Sequence, residues 1–377
     1  MAAKVTHPST EAADDSSAGL PSQRSAPSAA AGSPPRTVIR MRDIAEVAGV
    51  SQSTVSRVLN DTPTQVPIAA ETRERVLRAA HAMGYRPNPH ARGLRGAPTL
   101  LLGVVVRDFS DLFFAAAIEA LAVEAMSRGY NVVLGHAHGR EEEGLPLSAI
   151  LEIRQCDAVV LLGDMQDHPR LLADLRTSPV PVVATWQGTS PREFPTADVD
   201  EESGVRAGLE HLVGLGHERI GFLSIILPGN NWQRQDAYEA FMTERFGGVR
   251  PGYVQVAPNT LAGGEEATRA LLALDEPPTA IVTATDLVAV GLLHAAYDLG
   301  RTVPDDLSVV GFDDIVLAGH TVPALTTVRM PIVEIVRESV KLAIELARNP
   351  SAPREPLRRV FAPSLIVRQS TAPPPAR

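Results

Sequence analysis

The sequence predicts an α/β protein in which a small all-α helix-turn-helix domain precedes a larger domain of two doubly wound α/β lobes. Two observations predict this fold class. Early in the chain, two short segments with helical periodicity flank a glycine. From Leu100 onward, apolar strand-like runs alternate with amphipathic helices, a pattern typical of parallel sheets covered on both faces. A length of 377 residues leaves room for two or three such units.

The stretch "DIAEVAGVSQSTVSRVLND" contains the first two predicted helices. Apolar residues at helical spacing predict a helix over Met41–Ala48, which Gly49 ends because glycine adopts left-handed dihedrals at little cost. Ser51 is placed to cap a second helix, Gln52–Leu59, whose two valines and final leucine face inward. A third helix, about Ala70–Met83, closes a small core with Val76, Leu77, Ala80 and Met83.

The outward face of the second helix carries small polar groups and an arginine. Such a face packs poorly, but it can hydrogen-bond base edges and phosphates. We therefore predict that Gln52, Ser53 and Arg57 read DNA bases. The side chains expected to contact DNA phosphates are Ser51, Thr54, Ser56 and Asn88. An ordinary helical hairpin without DNA contacts is the alternative.

Charge supports the DNA interpretation. From Arg36 to Gly96 the chain has ten arginines against five acidic residues, whereas the whole chain has a net charge of −9. A small basic module attached to a large acidic body indicates that the module meets a polyanion.

The segment "YRPNPHARGLRG", Tyr85–Gly96, predicts one further short helix. Asn88 can cap it, Pro89 fits the first helical position, and Gly93 interrupts it. A helix so short is marginal by itself in water. We expect it to fold on a partner.

Seven apolar runs predict strands: "LLLGVVV", "NVVLGH", "DAVVLLG", "VPVVAT", "RIGFLSI", "AIVTA" and "LSVVGF". We expect the first lobe to run through about Ala184, the chain to cross near Pro191–Asp200, and the C-terminal segment to cross back.

Ligands of open α/β sheets bind beyond the carboxyl ends of the strands. The predicted ligand-contacting residues there are Asp111, Phe113, Phe114, His136, Trp186, Arg234, Asp286 and Asp313, with Phe109, His138 and Asp164 as further candidates. The alternatives are core packing for Phe113 and Phe114, helix capping for Asp286, surface pairing with Asp236 for Arg234, and lobe-interface packing for Trp186. A metal site at His136 and His138 is not expected, because alternating residues of an extended segment project to opposite sides.

These segments together resemble the lac repressor family of bacterial transcription regulators. The resemblance extends from about Arg40 to Thr371. Its motifs are "DIAEVAGVSQSTVSRVLN", "TRERVLRAAHAMGYRPNPHARGLR", "GHERIGFL", "TAIVTATDLVAVGLL", "VPDDLSVVGFDD" and "PALTTVRMP". It implies that the second helix reads the major groove, and that a hinge helix pairs with its dimer partner and contacts the minor groove through Ala91 and Leu94. It also implies that Phe113, Phe114, Arg234 and Asp286 contact a small-molecule effector.

With this resemblance, the chain divides into five segments. They are a disordered tail (1–36), the helix-turn-helix domain (37–86), the hinge helix (87–98), the effector-binding domain (99–371), which resembles periplasmic binding proteins, and a flexible tail (372–377). Three departures from the family pattern are a longer loop from Asp61 to Pro67, Ala69 in place of a Ser or Thr cap, and Thr285 in place of Asn.

The resulting functional hypothesis is a dimeric, DNA-binding repressor of the cytoplasm that responds to a sugar or sugar derivative, with a nucleobase as the alternative effector. The single cysteine and the lack of a signal-like or membrane-spanning apolar run favour the cytoplasm. An enzyme is disfavoured because no phosphate-binding glycine loop, nucleophile elbow or metal-ligand spacing occurs, and we expect no cofactor. A solute-binding protein would need a secretion signal and would have no use for residues 40–96.

Overall fold

The computed structural model describes residues 39–59, 67–85, 98–137, 156–186, 194–226, 233–349 and 357–375. The chain forms two compact units, Met1–Pro87 and Asn88–Arg377. Within the described residues, no helix is both long and apolar enough to cross a membrane.

The first unit is a three-helix domain with helices α1 (Met41–Ala48), α2 (Gln52–Leu59) and α3 (Ala70–Ala82). The bounds of α1 and α2 are those predicted, and α3 ends one residue earlier than predicted. Gly49 adopts φ 63° and ψ 40°, the left-handed conformation expected of a glycine that stops a helix. Ala69 precedes α3 without a side-chain cap, as its methyl group dictates.

The core of this domain differs from the prediction at Leu77. Ile44, Val55 and Val76 are fully buried, whereas Leu77 is 46% exposed. Ala79 takes the inward position, because residues three and four positions from Val76 share its helix face and the next residue does not. The Nε of Arg75 also donates to the carbonyl oxygen of Ala48 at 2.8 Å, which pairs a terminal carbonyl of α1.

The second unit contains two six-stranded sheets. The first sheet contains β1 (Leu101–Val106), β2 (Asn131–His136), β3 (Ala158–Leu162), β4 (Val182–Thr185), β5 (Thr196–Val199) and β11 (Arg358–Phe361). The second contains β6 (Ile220–Ile225), β7 (Val254–Ala257), β8 (Ala280–Thr283), β9 (Ser308–Asp313), β10 (Thr326–Arg329) and β12 (Ser364–Ile366). Their orders are β11-β5-β4-β3-β1-β2 and β12-β10-β9-β8-β6-β7. All pairs are parallel except β10 with β12.

Helices connect these strands. They are α4 (Leu112–Ser127), α5 (Pro169–Thr177), α6 (Glu201–Gly214), α7 (Gln233–Phe246), α8 (Leu261–Leu272), α9 (Asp286–Asp298) and α10 (Ile332–Arg348), with a 3-10 turn at Val316–Gly319. All seven predicted strands are present. The prediction missed β5, β7, β10, β11 and β12, which are three or four residues long. The predicted strands β4 and β8 are equally short, but the apolar runs VPVVAT and AIVTA marked them.

The first crossing between the lobes lies at the end of the predicted region, Pro191–Asp200. The strand Thr196–Val199 pairs with β4, so it belongs to the first lobe and not to a crossing segment. The chain enters the second lobe after Val199 and returns through α10, which packs against β3, β4 and β5. It then adds β11 to the first sheet and β12 to the second. The predicted return of the C-terminal segment is confirmed.

The C-terminal residues are held more firmly than a flexible tail over 372–377 implies. The carbonyl oxygen of Ala372 accepts hydrogen bonds from Nε2 of His217 at 2.8 Å and from Oγ of Ser308 at 3.0 Å. The Ala372 N–H donates to the same Ser308 hydroxyl. Burial lowers the pKa of His217, which favours the neutral ring in this network. Ordered chain therefore continues at least through Ala372.

Two glycines bring α8 and α9 into close contact. A Cβ atom on Gly264 would overlap the carbonyl oxygen of Val288, and one on Gly291 would overlap that of Leu261. Thr260 and Thr285 cap the two helices through their side chains. The contact therefore fixes where α8 begins after β7 and where α9 begins after β8.

We predict that Gly264→Ala destabilises the second unit by about 1–3 kcal/mol or more, because the new methyl group has no space against the α9 backbone. Gly214→Ala, at the end of α6, is the matched control. A Cβ atom added at Gly214 has no neighbouring atom within 4 Å. The control should be neutral or gain up to about 1 kcal/mol. Urea unfolding of both full-length variants checks the difference, and equal stabilities would contradict close packing of the two helices.

Candidate functional site

The outward face of α2 is exposed as predicted. Ser51, Gln52, Ser53 and Arg57 are exposed, Thr54 and Ser56 are partly exposed, and Val55 and Val58 are buried. Within the described part of the chain, no hydrogen bond or ion pair engages the side chains of Gln52 and Arg57. These two side chains keep their hydrogen-bonding groups available.

The hydroxyl groups at the start of α2 form a small network. Ser51 accepts a hydrogen bond from the N–H of Thr54 at 3.2 Å, which confirms it as the cap. Its Oγ also lies 2.7 Å from that of Ser53 and 2.8 Å from Oγ1 of Thr54. The network orders the turn that leads into the helix. The predictions for Asn88, Ala91, Leu94, His138 and residues 61–66 fall outside the described residues and stay predictions.

A cleft of about 320 Å³ lies between the carboxyl ends of the two sheets in the second unit. Seven sequence candidates line it: Asp111, Phe113, Phe114, Asp164, Trp186, Arg234 and Asp313. Every one of them follows or ends a strand, or sits at the start of the next helix. Parallel strands bring these positions together because their carboxyl ends share one edge of the sheet.

An aromatic wall forms the first-lobe side of the cleft. The rings of Phe113 and Phe114 have centroids 5.3 Å apart, and the Trp186 ring stands 4.9 Å from Phe113 at 75°. Phe113 and Phe114 are each only 7% exposed, so they combine core packing with a cleft-facing edge. Trp186 has φ 52°, a left-handed value unusual for a large side chain.

Arg234 is the central charged group of the second lobe. Its Nε donates to Oε2 of Glu201 at 2.6 Å, and its Nη1 donates to Oδ1 of Asp313 at 3.1 Å and to the carbonyl oxygen of Ala284. Its guanidinium carbon lies 3.7 Å from the centroid of the Phe312 ring. The alternative pairing with Asp236 is therefore wrong. Burial would lower the pKa of Arg234, but the two carboxylates outweigh it and raise that pKa.

A hydrogen bond joins the two lobes across the cleft. Asp111 caps α4 by accepting from the N–H of Phe113 at 2.9 Å, and its other oxygen accepts from Nδ2 of Asn259 at 3.1 Å. Asn259 in turn accepts from the Thr285 hydroxyl at 2.7 Å. Burial raises the pKa of Asp111 above its usual value.

Two cleft groups lack the hydrogen bonds that their burial calls for. The indole Nε1 of Trp186 and the amide Oε1 of Gln235 have no partner among the described residues. Buried polar atoms are nearly always hydrogen-bonded in folded proteins. Both residues line the cleft, but these two atoms are themselves buried and present no surface to it.

Two predicted residues lie elsewhere. The ring of His136 packs 4.6 Å from that of Phe109, and neither residue lines the cleft. Asp286 is fully buried, accepting from the Thr327 hydroxyl at 2.6 Å and from the N–H of Ile315 at 2.9 Å. The expected effector contact of Asp286 is thus replaced by a structural role. It is not the helix cap either, since Thr285 caps α9.

Sequence reasoning missed other cleft residues, chiefly Glu201, Gln235 and Asn259. Asn259 follows β7, one of the strands that the pattern did not reveal. Glu201 lies in the first turn of α6. Acidic residues are common there because they interact favourably with the helix dipole, so Glu201 gave no signal of a ligand site. Gln235 stands next to Arg234 in the sequence, and that proximity was the available signal.

Burial raises the pKa of Asp286 to about 7. In the unfolded chain the pKa of this carboxyl is about 3.9. The raised pKa in the folded state therefore stabilises the fold fully at pH values below about 3.9. This stabilisation is lost as the pH rises to about 7, the pKa of Asp286 in the folded protein. The change is on the order of 3–4 kcal/mol for a shift of about three pKa units.

We predict that Asp286→Asn flattens this dependence, because an amide can accept from Ile315 and donate to Thr327 at any pH. Urea unfolding at pH 5 and pH 8 measures the effect, with exposed Asp305→Asn as the control. If wild type and Asp286→Asn lose the same free energy of unfolding between pH 5 and pH 8, the Asp286 carboxyl does not cause the pH dependence.

Together, the helix-turn-helix domain and the two-lobed domain with its cleft define a ligand-responsive DNA-binding protein. Two family models match the chain. The model of bacterial regulatory proteins of the lacI family matches residues 40–88, and that of the periplasmic binding protein-like domain matches residues 209–371.

Individual relatives agree with the models. Catabolite control protein A of Priestia megaterium is 33% identical over 308 residues, which cover 81% of this chain and 91% of that protein. A structure of the lac repressor dimer bound to operator and the anti-inducer ONPF matches with a TM-score of 0.76 and 27% identity, covering 89% of this chain and 99% of that one. A complex of the transcriptional regulator CelR with cellobiose has a TM-score of 0.63 and 28% identity over 88% and 99% of the chains.

The chain therefore belongs to the lacI family of bacterial regulatory proteins. It is a DNA-binding transcriptional regulator with an effector-binding domain, and not an enzyme.

Proposed function

We propose that this regulator is a cytoplasmic repressor that binds a palindromic operator as a dimer and is controlled by a sugar or sugar derivative in the interlobe cleft. The observation that carries the proposal is the cleft itself. It combines an aromatic wall with polar side chains, among them Asp111, Gln235 and Asn259. Aromatic faces with a few convergent polar groups are typical of small-molecule sites.

The exposed face of α2 supports the DNA contact. Gln52 and Arg57 project unpaired donors, and the arginine fork can bind a guanine bidentately in the major groove. Ser51, Thr54 and Ser56 supply hydroxyl groups beside them for phosphates. The operator-bound lac repressor dimer among the similar structures supports the dimer and the operator.

The cellobiose complex among the similar structures supports a carbohydrate. The hydroxyl groups of a sugar can pair with the polar side chains that line the cleft, and its apolar face can rest against Phe113 and Trp186. A nucleobase is the second candidate, because a planar ring could lie against the same aromatic wall.

Control of DNA binding follows from linkage. A ligand shifts an equilibrium only by its preference for one arrangement of the lobes, typically by 1–3 kcal/mol. The Asp111–Asn259 hydrogen bond spans the two lobes, so a ligand in the cleft acts where the lobes meet.

We predict that Arg57→Ala weakens operator binding by about 1–3 kcal/mol and leaves binding to random DNA much less affected, since base contacts carry specificity. Arg78→Ala is the matched control. It removes the same charge from the exposed face of α3, where Arg78 neighbours Glu74. Fluorescence anisotropy with an operator selected from random DNA by the wild-type protein measures both variants. Equal losses on operator and random DNA for Arg57→Ala would refute base reading.

We further predict that Gln235→Leu abolishes the effector response, because it removes a polar side chain from the lining of the cleft. A thermal-shift screen that includes cellobiose, ribose, galactose and adenosine identifies the effector, and operator affinity is then measured with and without it. Gln255→Leu, on β7 outside the cleft, is the control. A normal response in Gln235→Leu would place the effector elsewhere.

A further inference from the structure

A single carboxylate holds the turn through which the chain enters the effector domain. The described residues of this domain begin at position 98, and residues 98–100, here called the entry turn, lead directly into β1. Oδ1 of Asp157 accepts hydrogen bonds from the N–H of Thr99 at 2.7 Å and from its hydroxyl group at 2.8 Å. Oδ2 of Asp157 accepts from the N–H of Leu100 at 2.9 Å. Both oxygens of Asp157 therefore bind the two residues that precede β1.

Backbone hydrogen bonds from both neighbouring strands add to this hold. The N–H of Asp157 donates to the carbonyl oxygen of Leu101 at 2.9 Å. The N–H of Asn131, the first residue of β2, donates to the carbonyl oxygen of Leu100 at 2.9 Å. Asp157 immediately precedes β3, so the entry turn is tied to the starts of β2 and β3 as well as to β1.

The entry turn places Leu100 in an unusual backbone conformation. Its φ is 58°, a left-handed value that crowds the Cβ atom of a leucine. Such strain persists only where the surrounding contacts determine the conformation. Packing does not determine it here, since Leu100 is 37% exposed. The hydrogen bonds of the turn, led by those to the Asp157 carboxylate, therefore set the direction of the chain at this point.

The strands next to the entry turn reach the effector cleft at their other ends. β1 and β3 pair in parallel over five residues, all of them buried. Arg107 follows β1 and Asp164 lies shortly after β3, and both line the cleft. Close-packed elements transmit displacement because the interior has little free volume. A shift of this sheet at the cleft therefore also shifts the entry turn.

We propose that Asp157 is a positioning residue for operator binding. By holding Thr99 and Leu100, it fixes the point and the direction at which the chain that carries the DNA-binding domain joins the effector domain. The proposal rests on the proposed function, because it concerns the same operator. A fixed attachment reduces the conformational freedom that specific binding must remove. Binding to random DNA depends on phosphate charge and needs this attachment much less.

Three variants of the full-length protein test this role on the operator selected from random DNA by the wild type. Asp157→Ala removes all three side-chain hydrogen bonds. Asp157→Asn keeps one oxygen for the two Thr99 donors, but its NH2 group faces the N–H of Leu100 and cannot accept from it. Thr99→Val removes the hydroxyl group alone. Fluorescence anisotropy measures the affinity of each variant for the operator and for random DNA.

Asp157→Ala should weaken operator binding about tenfold, which corresponds to about 1.4 kcal/mol, close to the net contribution of a hydrogen bond to a charged group. Asp157→Asn and Thr99→Val should fall between the wild type and Asp157→Ala. Affinity for random DNA should stay within about twofold of wild type, since the charges of the DNA-binding domain are unchanged.

Asp306→Ala is the matched control. Asp306 also accepts from a backbone N–H, that of Thr302 at 2.8 Å, but it lies in the second lobe between α9 and β9. The control removes the same charge and a comparable hydrogen bond far along the chain from the entry turn. Its operator affinity should equal that of the wild type.

A further measurement separates positioning from stability. Urea unfolding gives the free energy of unfolding of each variant, and hydrogen exchange with mass spectrometry follows the peptide that contains Thr99 and Leu100. A purely structural Asp157 would change these two readouts and leave the operator affinity of the folded protein unchanged. Leu100→Asn added to Asp157→Ala should restore part of the lost operator affinity, because asparagine adopts left-handed φ more readily than leucine.

Two outcomes would overturn the proposal. One is a folded Asp157→Ala that binds the operator as tightly as Asp306→Ala. The other is an equal loss of affinity for operator and random DNA. If Asp157→Ala does not fold by circular dichroism, Asp157→Asn and Thr99→Val decide by the same two criteria.

Failure of the proposed function would appear in different measurements. A selected site that is not palindromic would count against the dimeric operator complex, and the lack of a response to any sugar or nucleoside would count against the proposed effector. The ratio of wild-type to variant affinity on the selected site tests Asp157 in either case.

Discussion

The contact on which the effector domain most depends is the one between Arg234, Glu201 and Asp313. It ties the start of α7 to the start of α6 and to the end of β9, three elements distant in the chain. The cleft borders this contact, so the ion network sets both its shape and its charge. Buried carboxylates of this kind persist only where a paired cation compensates their desolvation. Arg234 is that cation.

The opposite wall has a different physical basis. Phe113, Phe114 and Trp186 pack edge to face and bury apolar surface, and the buried indole N–H of Trp186 has no hydrogen-bond partner among the described residues. One lobe thus contributes shape and apolar area, and the other contributes charge. A hydrogen bond between Asp111 and Asn259 joins them. A single bond of this kind contributes about 1 kcal/mol net, an amount that a bound ligand can readily offset when it changes the arrangement of the lobes.

Much of the fold could be predicted because its signals are local. The bounds of α1 and α2 follow from apolar spacing, a capping serine and a glycine stop, all within twenty residues. Seven strands were visible for the same reason, because apolar runs marked them. The other five were not, because their three or four residues carried no such mark. The placement of Thr196–Val199 in the first sheet depends on its pairing with β4 and β11, which no local window contains.

The sequence by itself determined the class of protein, the outward face of α2 and the strand ends at which a ligand site lies. Those features depend on periodicity and on the rule that parallel strands place their carboxyl ends at one edge. Only the tertiary structure decided which polar residues reach the cleft. Asp286 is the residue after Thr285, which lines the cleft, yet its side chain is buried and accepts hydrogen bonds from Thr327 and Ile315. Glu201 and Asn259 reach the cleft from elements with no sequence signal of a site. Side-chain partners depend on neighbours distant in the chain, and these exist only once the lobes have folded together.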